Sequence, residues 1–213
     1  MKELLNYIVL HPVAGIAIAL LLVLTVFVWI KAIKSGKERN FRREKIIADI
    51  EKEKKLRNDY RTLSLELILN ETDKYRAIQG VCANIQMSIE KKEDINSAFN
   101  SLPECKKYVY CLGYVFEDSK NKLSEFFRIN GEPLISVSRD AVISVIGGEF
   151  SKIFLSEFDM FDEDNESASV DKNLIEKTDN EFKNYMSENC ESVYGKCVDY
   201  IKSNISELTK SNV

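Results

Sequence analysis

The sequence predicts a mainly α-helical protein: a single N-terminal transmembrane helix, a juxtamembrane helix, and then an all-α helical bundle. A long uncharged apolar run lies near the N-terminus, and the apolar residues after it recur at helical spacing. No alternating strand pattern bounded by hairpin turns accompanies them. The predicted parts are a short external N-terminus (1–6), a transmembrane helix (7–30), a basic stalk helix (31–69) and a helical domain (70–213).

The predicted transmembrane helix is centred on a run from Pro12 to Ile30 that has no charged residue and whose only polar side chain is Thr25. A helix of this length covers roughly the 30 Å hydrocarbon core of a bilayer. Tyr7 and Trp29 stand where interfacial aromatic residues are expected. A cleaved signal peptide and a helix buried in a soluble core are the alternatives. The signal peptide is disfavoured because the run exceeds the usual apolar region and meets Lys31 without a small-residue cleavage site.

A basic flank follows the apolar run and predicts its orientation. Positive residues concentrate on the cytoplasmic side of membrane spans, so the N-terminus is expected outside the cell membrane and the C-terminal domain in the cytoplasm. The cluster could also contact anionic lipid headgroups. The basic residues of this flank are Lys31, Lys34, Lys37, Arg39, Arg42, Arg43 and Lys45, against Glu38 and Glu44.

The charge of the chain changes sign along its length. Residues 1–93 contain 17 Lys/Arg and 12 Asp/Glu, whereas residues 94–213 contain 13 and 22. An acidic domain disfavours direct nucleic-acid binding, because contacts to phosphates need Lys and Arg. The single histidine, His11, leaves little scope for histidine-based metal sites or nucleophilic catalysis. Gly147-Gly148 lack the Lys and Ser/Thr that a phosphate-binding loop requires. We therefore expect neither an enzyme nor a bound cofactor or metal.

The five cysteines are an odd number without a Cys-x-x-Cys pair, so they indicate neither zinc binding nor a redox motif. In a reducing cytosol we expect them to behave as small buried apolar residues. They are Cys82, Cys105, Cys111, Cys190 and Cys197.

Eight helices are predicted after the transmembrane run from apolar spacing and capping residues. Ser101 and Ser138 are the expected N-caps of two of them, while Gly131 and Gly147-Gly148 are expected to end others. The predicted helices cover 36–69, 71–92, 101–117, 120–129, 139–146, 149–161, 170–188 and 190–208.

An acid-rich segment interrupts the helical pattern after residue 161. An EF-hand calcium loop would need Gly at its sixth position and Glu at its twelfth, and neither Asp159 nor Asp162 starts such a loop. A solvated loop is the better interpretation, and its acids are the candidate partner-binding residues. These candidates are Glu157, Asp159, Asp162, Glu163, Asp164 and Glu166.

Residues 95–205 resemble the small all-helical family that includes the bacterial DNA-mimic proteins, many members of which are known only as a domain of unknown function. The resemblance lies in short motifs that fall in the family's order and spacing. The motifs are Ser101-Leu102-Pro103-Glu104, Val109-Tyr110, Glu117, Asn121 to Phe127, Asn130-Gly131-Glu132, Ala141 to Gly147, and Asp199 to Asn204.

One departure from the family pattern is visible. The family's Asn-Gly-Gly-Phe-like turn is replaced by Lys122-Leu123, and Glu125 stands in place of a Gln. The resemblance implies a helical bundle capable of forming a homodimer and, in some members of the family, an acidic surface that engages a DNA-binding protein in place of DNA.

Two functions remain open from the sequence. The first is a single-pass membrane-anchored protein whose acidic cytoplasmic domain acts by protein–protein contact. The alternative is a phage holin-like lysis protein, whose domain would lie outside the cytoplasm. That alternative predicts disulfides among Cys105, Cys111, Cys190 and Cys197.

Overall fold

The computed structural model describes residues 29, 31, 41, 43–161 and 171–210. The chain divides into two units, Met1–Lys54 and Lys55–Val213. In the first unit the described residues are helical and exposed, and they include Ile46, Ile47 and Ile50. The second unit contains the hydrophobic core.

The predicted fold class needs one correction. Within the described residues, no helix is both long enough and apolar enough to cross a bilayer. The longest described helix, Lys172–Ser203, alternates charged and apolar residues and buries only one face. The transmembrane element predicted over 7–30 is therefore not supported. Residues 1–28 and Ile30 lie outside the described part of the chain, and the cytoplasmic placement of the domain stays a prediction.

The all-α helical bundle is confirmed: the described residues contain helices, turns and loops but no strand. In the second unit we number the helices after residue 64 in chain order. They are α1 (Leu65–Asn70), α2 (Lys74–Ile89), α3 (Ile95–Asn100), α4 (Glu104–Asp118), α5 (Leu123–Ile129), α6 (Leu134–Ala141), a π-helical turn (Val142–Ile146), α7 (Gly148–Phe158), α8 (Lys172–Ser203) and α9 (Ile205–Leu208).

Helices α2 and α4 pack closely because small residues lie at their contact. A Cβ atom on Gly113 of α4 would lie 2.7 Å from the Cβ and Sγ atoms of Cys82 on α2. Gln79 of α2 also donates a hydrogen bond from Nε2 to the carbonyl oxygen of Gly113, at 2.9 Å. The two helix backbones can approach this closely only because position 113 has no side chain.

An aromatic cluster fills the space where α5, α7 and the end of α4 meet. Phe126, Phe150 and Phe154 are fully buried, and the rings of Phe127 and Phe154 have centroids 5.1 Å apart. These side chains recur at three- and four-residue spacing, as the sequence predicts for buried helix faces. Burial of such rings is a large part of the apolar stabilisation of a domain this size.

The stalk predicted as one helix over 36–69 is interrupted. Residues 43–59 are helical, the chain turns at Tyr60, and α1 starts after its N-cap Ser64. Tyr60 is fully buried, and Asn84 of α2 donates hydrogen bonds to the carbonyl oxygens of Tyr60 and Arg61. The helix ends here because a tertiary partner takes carbonyls that a further turn would have used.

Two predicted N-caps are also wrong. Ser101 is the C-cap of α3, a helix that we did not predict, and Pro103 instead precedes α4. Ser138 lies fully buried inside α6, which begins earlier than expected. Both serines precede apolar runs, but the flanking residues Phe99 and Ile135 bury as well and extend the helical segments toward the N-terminus.

The two closing helices predicted over 170–188 and 190–208 are one long helix, α8, followed by the short α9. No Gly or Pro lies between residues 186 and 194 to end the helix. The amide of Asn189 is accommodated within the helix, because its Nδ2 donates to the carbonyl oxygen of Tyr185 at 3.0 Å.

The five cysteines are free thiols. Four of them are buried and Cys190 is half-buried. The disulfides predicted by the holin-like alternative are therefore absent from this structure.

The contact between α2 and the turn before α1 gives a stability prediction. A Cβ atom on Gly80 would overlap the ring of Tyr60, which is fully buried. Alanine favours helix by about 1 kcal/mol over glycine, but overpacking a buried contact costs about 1–3 kcal/mol or more. We expect Gly80→Ala to lower the free energy of unfolding by about 2 kcal/mol, measured by urea titration.

Gly131→Ala is the matched control, since a Cβ atom there meets nothing within 4 Å and the backbone is not left-handed. This substitution should change stability by less than about 0.5 kcal/mol. An equal effect of the two substitutions would contradict the close contact between Gly80 and Tyr60.

Candidate functional site

The structure separates the predicted partner-binding acids into different environments. Asp159 is exposed and forms the C-cap of α7, whereas Glu157 is completely buried in the last turn of that helix. Glu157 is therefore corrected from a surface contact to a core residue. Asp162, Glu163, Asp164 and Glu166 lie outside the described residues.

Both ends of the acid-rich segment are fixed on the domain. On the N-terminal side, the ring of Phe161 is buried and stacks on Phe127, with centroids 5.3 Å apart. On the C-terminal side, Asp171 is the N-cap of α8 and accepts a hydrogen bond from the backbone N–H of Asn173 at 2.9 Å. The segment 162–170 thus joins two anchored points on neighbouring helices.

Negative charge is concentrated between these anchors. Residues 159–171 contain Asp159, Asp162, Glu163, Asp164, Glu166 and Asp171 and no Lys or Arg. Asp159 stands at the C-terminal end of a helix, where the helix dipole disfavours negative charge. Among the described residues it takes part in no ion pair. The charge of Asp159 therefore gains no stabilisation from the helix end at which it stands.

Many acids elsewhere on the second unit have a basic neighbour. These pairs are short: Arg57 lies 2.9 Å from Glu90, for example, and Lys74 lies 3.1 Å from Glu191. The remaining pairs join Arg76 to Asp59 and Glu71, Lys120 to Glu117, Arg139 to Asp140, Lys152 to Glu149, and Lys210 to Glu207. The segment 159–171 differs from these surfaces because its sequence contains no cation to compensate its charge.

A pair of buried carboxyl groups lies beneath the start of this segment. Asp179 of α8 accepts hydrogen bonds from the backbone N–H of Ser124 at 2.9 Å and from its hydroxyl at 2.8 Å. The first turn of α5 has no side-chain cap of its own, so Asp179 serves as its acceptor. Asp179 thus takes the place of a side-chain N-cap for α5.

Glu157 has the opposite environment. Its side chain is completely buried, and neither carboxyl oxygen has a hydrogen-bond partner among the described residues. Burial, and secondly the charge of Asp179, raise the pKa of Glu157 from 4.5 to about 8, while Arg128 opposes the shift. With its pKa raised to about 8, Glu157 keeps its proton at neutral pH.

Asp179 and Ser124 were missed as site residues in the sequence, although a signal existed for the acid. Asp179 lies four residues after Ile175 and three before Phe182, which places it on the buried stripe of α8. Glu157 likewise follows Phe150, Ile153 and Phe154 at helical spacing. A carboxylate on an apolar stripe is a candidate for a perturbed core acid rather than for a surface contact.

The basic flank is described only in part. Lys31 and Arg43 are helical and exposed. Lys34, Lys37, Arg39 and Arg42 lie outside the described residues, so the predicted contact with lipid headgroups stays a prediction.

Metal ligation and cysteine chemistry are two further possibilities for the described residues. They contain no group of three or more His, Cys, Asp or Glu side chains placed to hold a metal ion. Burial raises the pKa of the Cys82 thiol to about 12, and it also raises the pKa of the Cys111 and Cys197 thiols. These thiols stay protonated and inaccessible, unlike reactive cysteines.

No known protein family, curated protein or solved structure matches this chain.

The buried carboxyl pair predicts an unusual pH dependence of stability. The folded protein keeps a proton on Glu157 between pH 4.5 and about 8, and the unfolded chain releases it. Stability contributed by this group is therefore complete below pH 4.5 and falls as the pH rises toward 8. One pKa unit corresponds to about 1.4 kcal/mol, so we expect a loss on the order of 3 kcal/mol between about pH 5.5 and about pH 8.5.

Urea unfolding of Glu157→Gln at the same two pH values tests this prediction, because glutamine fills the same space without titrating. The free energy of unfolding of Glu157→Gln should fall much less between the two pH values than that of the unmodified protein. Asp159→Asn, an exposed neighbour at the end of the same helix, should retain the full loss. A loss of equal size in Glu157→Gln and in the unmodified protein would show that another group is responsible.

Proposed function

We propose that this protein is a helical binding module that acts by protein–protein contact and presents the acid-rich segment 159–171 to a partner with a basic surface. The observation that carries the proposal is the uncompensated charge in the sequence of this segment, held between Phe161 and the N-cap Asp171. Many acids elsewhere on the second unit are paired with Lys or Arg on the same surface.

The local energetics support an external role for these charges. Asp159 stands at the unfavourable end of α7 and has no ion-pair partner among the described residues. Clustered like charges repel one another, and this repulsion costs stability unless an outside cation relieves it. A basic partner would remove that cost on binding and would be steered toward the segment at low ionic strength.

The class of partner follows from the resemblance to DNA-mimic proteins. A protein that binds DNA presents Lys and Arg to phosphates, and a row of carboxylates offers similar charge. We therefore propose that the partner is a DNA-binding protein and that the module binds its DNA-binding surface in place of DNA. A homodimer of the module is consistent with the same resemblance, and the proposal does not depend on a membrane span.

Neutralising the segment should abolish partner capture. The variant combines Asp159→Asn, Asp162→Asn, Glu163→Gln, Asp164→Asn, Glu166→Gln and Asp171→Asn, and the last of these keeps a side chain that suits an N-cap. In pull-downs from an extract of the source cells, quantified by mass spectrometry, we expect roughly tenfold less of the partner than with the unmodified protein, equivalent to a loss of about 1.4 kcal/mol. Excess double-stranded DNA should displace the partner from the unmodified protein.

The matched control neutralises an equal number of exposed acids that have no ion pair among the described residues. They are Glu66, Glu93, Glu176, Glu181, Glu188 and Asp199. This control carries the same net charge as the segment variant and should still capture the partner. Equal capture by both variants would refute the segment as the binding site, and a partner that DNA cannot displace would refute the DNA-mimic part of the proposal.

A further inference from the structure

Glu157 is the point where the fold and the acid-rich segment meet. It lies in the last turn of α7, two residues before Asp159, and its buried side chain is close enough to Asp179 of α8 and Arg128 of α5 to feel their charges. Three elements thus converge on one carboxyl group whose oxygens have no hydrogen-bond donor among the described residues.

A buried carboxyl without donors is tolerated only in its neutral form. The charged groups that act on Glu157 are Asp179 and Arg128. Both carboxyl oxygens of Asp179 accept hydrogen bonds from Ser124, one from its N–H and one from its hydroxyl. Arg128 is exposed, so water screens its attraction.

Two cations on α6 and α8, which also pack on α7, are engaged with other groups among the described residues and do not balance the charge of an ionised Glu157. Arg139 of α6 lies with its guanidinium carbon 5.4 Å from the centroid of the Phe158 ring, and it also pairs with Asp140. Lys196 of α8 donates to the carbonyl oxygen of Ile146 in the π-helical turn, at 2.7 Å. Each of these cations already has a partner on this side of the domain.

We propose that Glu157 is a proton-dependent latch: with its proton, Glu157 is compatible with the close packing of the last turn of α7 against α5 and α8, and loss of that proton releases this turn as far as Phe161. In this step the Glu157 carboxyl transfers one proton to solvent, and no other covalent bond changes. The pKa of Glu157, raised to about 8, places the release in the weakly alkaline range. Regulation of partner binding by this latch rests on the proposed function, whereas the latch itself does not.

Hydrogen–deuterium exchange on the full chain tests the latch without any partner. Protection factors, corrected for the intrinsic pH dependence of exchange, are compared at about pH 6.5 and about pH 9, on either side of the pKa of Glu157, for amides of residues 154–161 and for amides of α4. We expect protection at 154–161 to fall roughly tenfold more than protection in α4, because the latch opens this turn without unfolding the rest of the domain. In Glu157→Gln, which cannot ionise, this excess fall should disappear.

Asp179→Asn is the second variant and remains informative if Glu157→Gln does not fold. It removes the like charge and keeps an acceptor for Ser124, so the pH at which protection at 154–161 falls should decrease. Glu188→Gln, which neutralises an exposed acid of α8 outside the acid-rich segment, should behave as the unmodified protein. An even loss of protection across the domain, an unchanged excess in Glu157→Gln, or an unshifted midpoint in Asp179→Asn would each overturn the latch. If the exchange results are as expected but the pull-down fails, the proposed function is refuted and the latch is not.

Discussion

The second unit depends on one long helix that must bury a continuous apolar stripe. Along α8, the residues Ile175, Phe182, Val193, Cys197 and Ile201 are buried at helical spacing. Helices α2, α5 and α7 and the π-helical turn all pack on α8, so one stripe serves as the common surface of several short elements. Helices as short as α5 are marginal by themselves in water, and they persist here because α8 provides their packing partner.

This arrangement explains why a carboxylate is part of the stripe. Asp179 occupies a position that packing alone would fill with an apolar residue, and its two hydrogen bonds satisfy the first turn of α5. Glu157 is raised in pKa chiefly by its own burial, and the neighbouring Asp179 adds to the shift. A structural need at α5 thus strengthens the shift at the end of α7.

Much of the bundle was predictable from apolar spacing. Helices α2, α4 and α7 and the break at Gly147-Gly148 follow from it, since both glycines adopt positive φ values of 60° and 63°. The errors arose where tertiary contacts override local patterns, as at Tyr60, whose carbonyl is taken by Asn84. At the candidate site, Asp159 is exposed, as a solvated segment predicts. The spacing of Glu157 from Phe150 and Phe154 indicated a buried position, but its neighbours on α5 and α8 could not be read from the sequence near residue 157.

One physical account covers both the acids that form ion pairs and the acids of the segment 159–171. A carboxyl group that is close to a cation loses its effect on a distant partner, because the pair has little net field beyond about 10 Å at physiological ionic strength. That is the condition of acids such as Glu90, Glu149 and Glu191. Only charges without a neighbouring cation extend a field to a partner, and those charges destabilise the surface on which they stand.

The fold limits this cost by anchoring the acid-rich segment at Phe161 and Asp171, and by keeping Glu157, whose pKa Asp179 helps to raise, neutral. A second ionised carboxyl beneath the segment would add repulsion at the very end of α7 that holds it. The protonation of Glu157 and the net charge of 159–171 are therefore coupled through the same turn of helix.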